Sequence, residues 1–306
     1  MSDIDPELRR TFRRMPRLVL GPTSTRLLRW LVGFSSAKPD TDGLTVGEVA
    51  TPGASTSMVI YRRSDSKAPA PVVFWIHGGG FIMGSNKTED CWGEAFCRSI
   101  DCVVVAAGYR LAPEHRFPSA LDDLRAAMGW VLDHGASHGL DPDTVIIGGE
   151  SAGGGLAAAL VQRLHDEGVT IRGQLLACPM LDDRTAVRPD IGRREPRGWN
   201  NGSNYFGWSS YLGTEPGGDT APEYAVPARR EQLAGLPPAW IGVGDVDLFY
   251  DEDLEYADRL REAGVPVTLE VARGGAHGYH RLVPKASVSK RFIASAVDFA
   301  AVSLAS

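Results

Sequence analysis

The chain has 306 residues, 43% hydrophobic and 23% charged, the balance of a soluble globular protein long enough to bury a sizeable core. A formal charge of −6, from 32 basic against 38 acidic residues, leaves no basic footprint for nucleic acid. The four cysteines, Cys91, Cys97, Cys102 and Cys178, are too few for a disulfide scaffold and lack zinc-site spacing, so reduced core thiols are expected.

The N-terminal stretch MSDIDPELRR carries early acids and no long apolar run. It reads neither as a signal peptide nor as a membrane span, and a cytoplasmic protein is expected. Residues 1–43 begin basic and amphipathic and then turn loop-like. LTVGEVA (44–50) and SMVIYRR (57–63) predict a hairpin at a sheet edge. PVVFWIH (71–77) and CVVVAA (102–107) are continuous apolar runs, the pattern of strands buried on both faces. Pro118 and Ser119 signal the start of a helix over 119–133, with Leu121, Leu124, Met128, Val131 and Leu132 at helical spacing. TVIIGG (144–149) is a further strand, and a helix over 152–166 stops at Gly168. GQLLAC (173–178), AWIGVG (239–244) and VTLEVA (267–272) continue the strands, with a helix over 250–263 between the last two. Strand and helix thus alternate, which predicts a mainly parallel, doubly wound sheet. Residues 182–225, rich in Asp, Arg, Gly, Pro, Trp and Tyr, break the alternation.

Between the strand at 144–149 and the following helix lies Gly149-Glu150-Ser151-Ala152-Gly153. Glycines at both flanks of a serine permit a turn too tight for side chains, which leaves the hydroxyl exposed at the strand's carboxyl end. The helix that follows points its positive end at the same place. HGGGF (77–81) follows another buried strand, and its glycines let backbone N–H groups face a cavity, as stabilisation of an oxyanion requires. A serine hydroxyl needs a base near neutral pH. His277, in RGGAHGYH after the last strand, is the candidate, with His280 its rival. The base in turn needs an acid to fix its tautomer. In GDVDLFYDED, Asp247 stands at the strand's carboxyl end; Asp245 is the alternative, while Asp251 and Asp253 fall in a helix's first turn, where acids favour the dipole. The chain order Ser151, Asp247, His277 is that of α/β-hydrolases.

With these residues in place, the sequence resembles the bacterial hormone-sensitive lipase family of carboxylesterases. HGGGF, YRLAPEHRFP (109–118), GESAGGGLA (149–157), the stretch 242–267 and GGAHGY (274–279) fall in family order. The resemblance implies an α/β-hydrolase fold, an eight-stranded mainly parallel sheet flanked by helices and topped by a helical cap. Residues 1–43 would be the N-terminal cap segment, 182–225 the cap insertion, and 44–181 with 226–306 the catalytic domain. It implies Ser151 as nucleophile, His277 as base and Asp247 as acid, with oxyanion N–H groups from Gly79, Gly80 and Ala152, and His77 as a structural loop residue. Where the family often has aspartate before the serine, this chain has Glu150, expected to hold loop backbone or a basic partner such as Arg110. The implied reaction is hydrolysis of short-chain acyl esters, with no organic cofactor and no metal. The partner is a small-molecule ester, without nucleic acid or membrane, and a homodimer stays open. The same triad serves amidases, arylacylamidases and peptidases. A ligand-binding receptor on a disabled hydrolase fold, as gibberellin receptors resemble, loses a triad member, and here all three stand. The aromatic residues Trp199, Tyr205, Phe206, Trp208 and Tyr211 in the insertion either line a pocket over Ser151 or join cap to sheet.

Overall fold

Continuous apolar runs fit only where both faces of a strand are covered. In the computed structural model, which describes residues 3–16, 18–34, 42–190 and 198–305, they form the middle of an eight-stranded sheet. Its strands are β1 (Leu44–Ala50), β2 (Ser57–Arg63), β3 (Ala70–Ile76), β4 (Val103–Ala107), β5 (Leu140–Glu150), β6 (Gly173–Ala177), β7 (Ala239–Gly244) and β8 (Val267–Ala272). The spatial order is β1-β2-β4-β3-β5-β6-β7-β8. β2 runs antiparallel to β1 and β4, and all other neighbours are parallel. The hairpin therefore lies at an edge, where β1 is exposed over most of its length. β5 begins earlier than its apolar run, because Leu140 pairs with Ala70 across an irregularity in the ladder.

The helices are α1 (Arg9–Arg14), α2 (Pro22–Phe34), α3 (Asp90–Ser99), α4 (Ser119–His134), α5 (Ala152–Asp166), α6 (Asn201–Leu212), α7 (Tyr250–Glu262), α8 (Tyr279–Leu282) and α9 (Ser287–Ala305). Successive residues of a strand face opposite sides. Val72, Phe74 and Ile76 of β3 thus enter one core with Leu121 and Leu124 of α4, Leu156 and Leu160 of α5 and Leu260 of α7. Val73 and Trp75 enter the other with Trp92 and Phe96 of α3 and Phe292 of α9. Among the described residues, no helix is long and apolar enough to cross a membrane.

The two regions that break the alternation touch each other. Residues 1–2, 17 and 35–41 of the first and 191–197 of the second lie outside the described residues. The first contains α2 where the sequence reads as loop. The second contributes a 3₁₀ turn, Asp183–Val187, and α6. The Asn200 side chain caps α6 by accepting from the Ser203 N–H at 3.0 Å, and Gly213 ends it with φ of 75°. The Leu20 N–H donates to Ser203 Oγ (2.9 Å), and Asn200 Nδ2 donates to the Leu18 carbonyl (2.8 Å). On α2, Arg29 Nε donates to the Ile82 carbonyl (2.6 Å), just after the HGGGF run.

Candidate active site

The site begins at the end of β5. Ser151 has φ of 58° and ψ of −123°, a conformation that costs a residue with a Cβ about 1–3 kcal/mol. Hydrogen bonds hold it there: the Ser151 N–H donates to the Ala177 carbonyl (2.8 Å), and the Ser151 carbonyl accepts from Gly155 and Met180 (both 3.0 Å). The flanking glycines are required by space. A Cβ on Gly153 would collide with the carbonyls of Ile76 and His77, and one on Gly149 with the carbonyl of Gly153. All of these obstacles are backbone, which cannot step aside.

The loops after β7 and β8 meet at this elbow. His277 Nδ1 donates to Asp247 Oδ2 at 2.9 Å and Oδ1 at 3.1 Å. A carboxylate only accepts, so this contact assigns the proton to Nδ1. Nε2 is then the acceptor for the Ser151 hydroxyl, at 2.9 Å. Asp247 is buried, its Oδ1 also accepts from the Phe249 N–H (3.1 Å), and the Phe249 ring stands edge-on to the imidazole at 5.2 Å. Burial alone would depress the imidazole pKa. The Asp247 charge and hydrogen bond outweigh it and hold His277 above its ordinary value.

The rival residues are engaged elsewhere. Asp245 Oδ1 accepts from the Gly274 N–H (2.6 Å) and so shapes the histidine loop. Asp251 meets Arg188 at 3.2 Å, and Asp253 is buried within α7. His280 packs on Phe292 behind the elbow, its Nε2 3.3 Å from Glu150.

The glycine turn after β3 lies beside the serine: a Cβ on Gly78 would stand 3.4 Å from Ser151 Cβ and 2.9 Å from the Glu150 carbonyl. Gly79 has φ of 121°, which only glycine adopts readily, and its carbonyl accepts from Ile82 and Met83. Among the described residues, no acceptor is paired with the N–H groups of Gly79, Gly80 or Ala152. That of Ala152 opens α5, where the first N–H groups have no partner within the helix. His77 stacks on Tyr109 at 4.2 Å and bonds the Gly78 carbonyl, and burial lowers its pKa, as suits a neutral loop residue.

The arrangement is a buried carboxylate, an imidazole and a serine hydroxyl in one hydrogen-bonded line, next to free N–H groups. It can deprotonate the hydroxyl and stabilise charge on an attacked oxygen. A family model described as alpha/beta hydrolase fold matches residues 73–281. Esterase LipI of Mycobacterium tuberculosis is 38% identical over 215 residues, 70% of this chain and 67% of that protein. Carboxylesterase NlhH of the same species is 34% identical over 222 residues, 68% of this chain and 66% of that protein. Among solved structures, Bacterial Heroin Esterase superposes with a TM-score of 0.91 at 33% identity, over 100% of this chain and 99% of that one. The chain belongs to the hormone-sensitive lipase family of carboxylesterases, within the α/β-hydrolase superfamily.

In this carboxylesterase a charge cluster lies behind the serine. Glu150 does not meet Arg110, which instead grips Asp123 at the start of α4 (2.8 Å). Its Oε2 accepts from Trp92 Nε1 (2.9 Å) and Arg281 Nη1 (3.2 Å). Burial would raise the Glu150 pKa, but Arg281 and His280 hold it well below the usual carboxylate range. The sequence carries no signal for Arg281 as the partner of Glu150 beyond a basic residue four places after the candidate base.

Cys178 is a buried free thiol, and burial followed by the charges of Asp247 and Glu150 pushes its pKa well up. Its ligand atom and those of Asp247 and His277 lie within 4.8 Å of one another, the group among the described residues closest to a metal-binding set. Asp247 and His277 are already bonded to each other and the thiol resists ionisation, so the group fits a packed triad better than an ion. A cavity of about 680 Å³ lies away from the serine, between α5 and α7. Its Arg184, Arg229 and Arg230 are paired with Asp182, Asp183 and Asp166.

The insertion's aromatic residues divide between the two expected roles. Trp208 and Tyr211 are core: Tyr211 stacks on Phe81 at 4.1 Å, with Trp208 5.0 Å from the same ring. Tyr205 is exposed. Trp199 presses its ring on Gly80, 6.5 Å from the His277 ring, and borders the site.

Proposed function

We propose that the protein is a serine carboxylesterase that hydrolyses short-chain acyl esters through an acyl-enzyme. The observation that carries the reading is the unbroken line from Asp247 through His277 to Ser151, with both links at 2.9 Å. His277 Nε2 takes the hydroxyl proton as Ser151 Oγ attacks the ester carbonyl. The N–H groups of Gly79, Gly80 and Ala152 receive the oxyanion; one such donor is typically worth about 10²–10³ in rate. The alcohol leaves with the proton from His277. Water then attacks the acyl-enzyme by the same route and releases the acid. Asp247 holds the tautomer and steadies the imidazolium throughout.

In this reading residues 1–43 and 182–225 form the cap, which fits the contacts of Leu18 and Leu20 with Asn200 and Ser203. Trp199, bordering the triad, supports a confined acyl pocket. A series of p-nitrophenyl esters, assayed below their aggregation concentrations, tests the reading. kcat/KM is expected to peak between acetate and hexanoate. A value still climbing at palmitate, with activation at an oil–water interface, would identify a lipase instead.

The pH dependence follows from the base. Protonated His277 cannot accept the serine proton, so activity falls as pH drops through its pKa. Asp247 raises that pKa. The midpoint of the acidic limb of kcat/KM is therefore expected above the ordinary histidine value of about 6.5. A midpoint well below it, or a flat profile from about pH 5 to 8, would remove His277 from the slow step.

A further inference from the structure

Arg281 lies four residues beyond His277, in α8, with its guanidinium behind the serine elbow. Its Nη1 donates to Glu89 Oε1 at 2.9 Å and to Glu150 Oε2 at 3.2 Å, and its Nη2 donates to the Thr88 carbonyl. Both carboxylates are buried, Glu89 at 1% and Glu150 at 5% exposure. Each is also anchored to an indole: Trp75 Nε1 donates to Glu89 (2.8 Å) and Trp92 Nε1 to Glu150 (2.9 Å). The two indoles pack together at 4.6 Å. A guanidinium fork in such surroundings has little freedom to choose another geometry.

One end of this bridge is bonded through the chain to the histidine loop and the other to the residue preceding Ser151. We propose that Arg281 is a positioning residue for ester hydrolysis, clamping the Glu150 carboxylate so that Ser151 Oγ and His277 Nε2 stay at bonding distance. The inference rests on the catalytic roles given above. A backbone as strained as that of Ser151 relaxes unless its surroundings hold it. The clamp supplies a restraint from the base's own loop, so nucleophile and base share one reference point. Misplacement by about 1 Å in such a pair can cost on the order of 10² in rate.

The charge environment gives a second handle. The groups around the clamp are Glu89, Asp90 and Cys91 at the start of α3, Glu150 at the elbow, His77 after β3 and His280 in α8; those facing His277 are Asp247, Glu150 and Cys178. Glu150 contributes negative charge that favours protonated His277, so removing that charge moves the acidic limb to lower pH.

The experiment compares Arg281→Met, Arg281→Lys and Glu150→Gln on a p-nitrophenyl acetate assay, with far-ultraviolet circular dichroism to verify folding. Ser151→Ala is run alongside; if it keeps its activity, the esterase roles fall first and this inference with them. With those roles standing, Arg281→Met is expected to lower kcat by about 10- to 100-fold with KM within about threefold. Arg281→Lys, which restores the charge without the fork, is expected to recover part of that loss. Glu150→Gln keeps an oxygen that can accept from Trp92 Nε1 and decides the matter if Arg281→Met does not fold. It is expected to lower kcat and shift the acidic limb downward. A folded Arg281→Met with wild-type kcat overturns the proposal. So does a Glu150→Gln variant with wild-type kcat and an unmoved limb.

Discussion

Replacing Ser151 with alanine is expected to lower kcat by about a million-fold, the loss typical when a serine triad loses its nucleophile. The loss should be confined to chemistry. The hydroxyl's hydrogen bond is to His277, and alanine keeps the same Cβ in the same strained backbone. Substrate binding and any charge stabilisation by the turn at Gly79 and Gly80 would remain, leaving a residual rate still above that of water. A p-nitrophenyl acetate assay on protein expressed without contaminating esterase measures this directly. Retention of more than a few per cent of activity would remove Ser151 from the nucleophile's role.

Asp247→Asn is expected to be the second large lesion, about 10⁴ in kcat. The asparagine amide fits the site, but its NH₂ group presents a donor to His277 where two acceptor oxygens now stand at 2.9 and 3.1 Å. The imidazole then tends to carry its proton on Nε2, the atom that must accept from serine. Asp245→Asn is expected to cost far less, because its contact is to the Gly274 N–H, which an amide oxygen still satisfies. Asp251→Asn weakens a part-exposed pair with Arg188 and should cost far less than Asp247→Asn. The three variants compared at one pH decide the acid: if Asp245→Asn proved the worst, the role would belong two residues earlier in the chain.

The parts of the fold that were readable are those whose physical demands are local. Val72 to Ile76 must be apolar at every position because both faces are covered, and that leaves a continuous run. Gly149 and Gly153 must lack side chains because neighbouring backbone fills the space, so the elbow announces itself within five residues. α6 was hidden. Gly202, Gly207 and the serines and asparagines around them are poor helix formers. The helix is held instead by the Asn200 cap and by Trp208 and Tyr211 packing on Phe81. The partner of Glu150 was hidden for another reason. Arg281 stands 131 residues away in the chain, and nothing in YHRL distinguishes a guanidinium that bridges two buried carboxylates from a solvated one. Arg110 appeared suitable, but Asp123 in the adjoining helix captures it.

On the proposed roles, the sheet order also sets which parts of the chain must be in place for activity. Ser151 comes from the end of β5, the proposed acid from the loop after β7 and the proposed base from the loop after β8, with serine and histidine 126 residues apart. A chain emerging from the ribosome thus makes Ser151 long before His277, and bringing together residues of such sequence separation carries a loop-closure cost. β8, which leads into the His277 loop, pairs with β7 along Ala239–Gly244. A chain truncated before His277 is expected to carry an inert serine. Recovery of hydrolysis after refolding is therefore expected to require docking of the last strand at the far edge of the sheet.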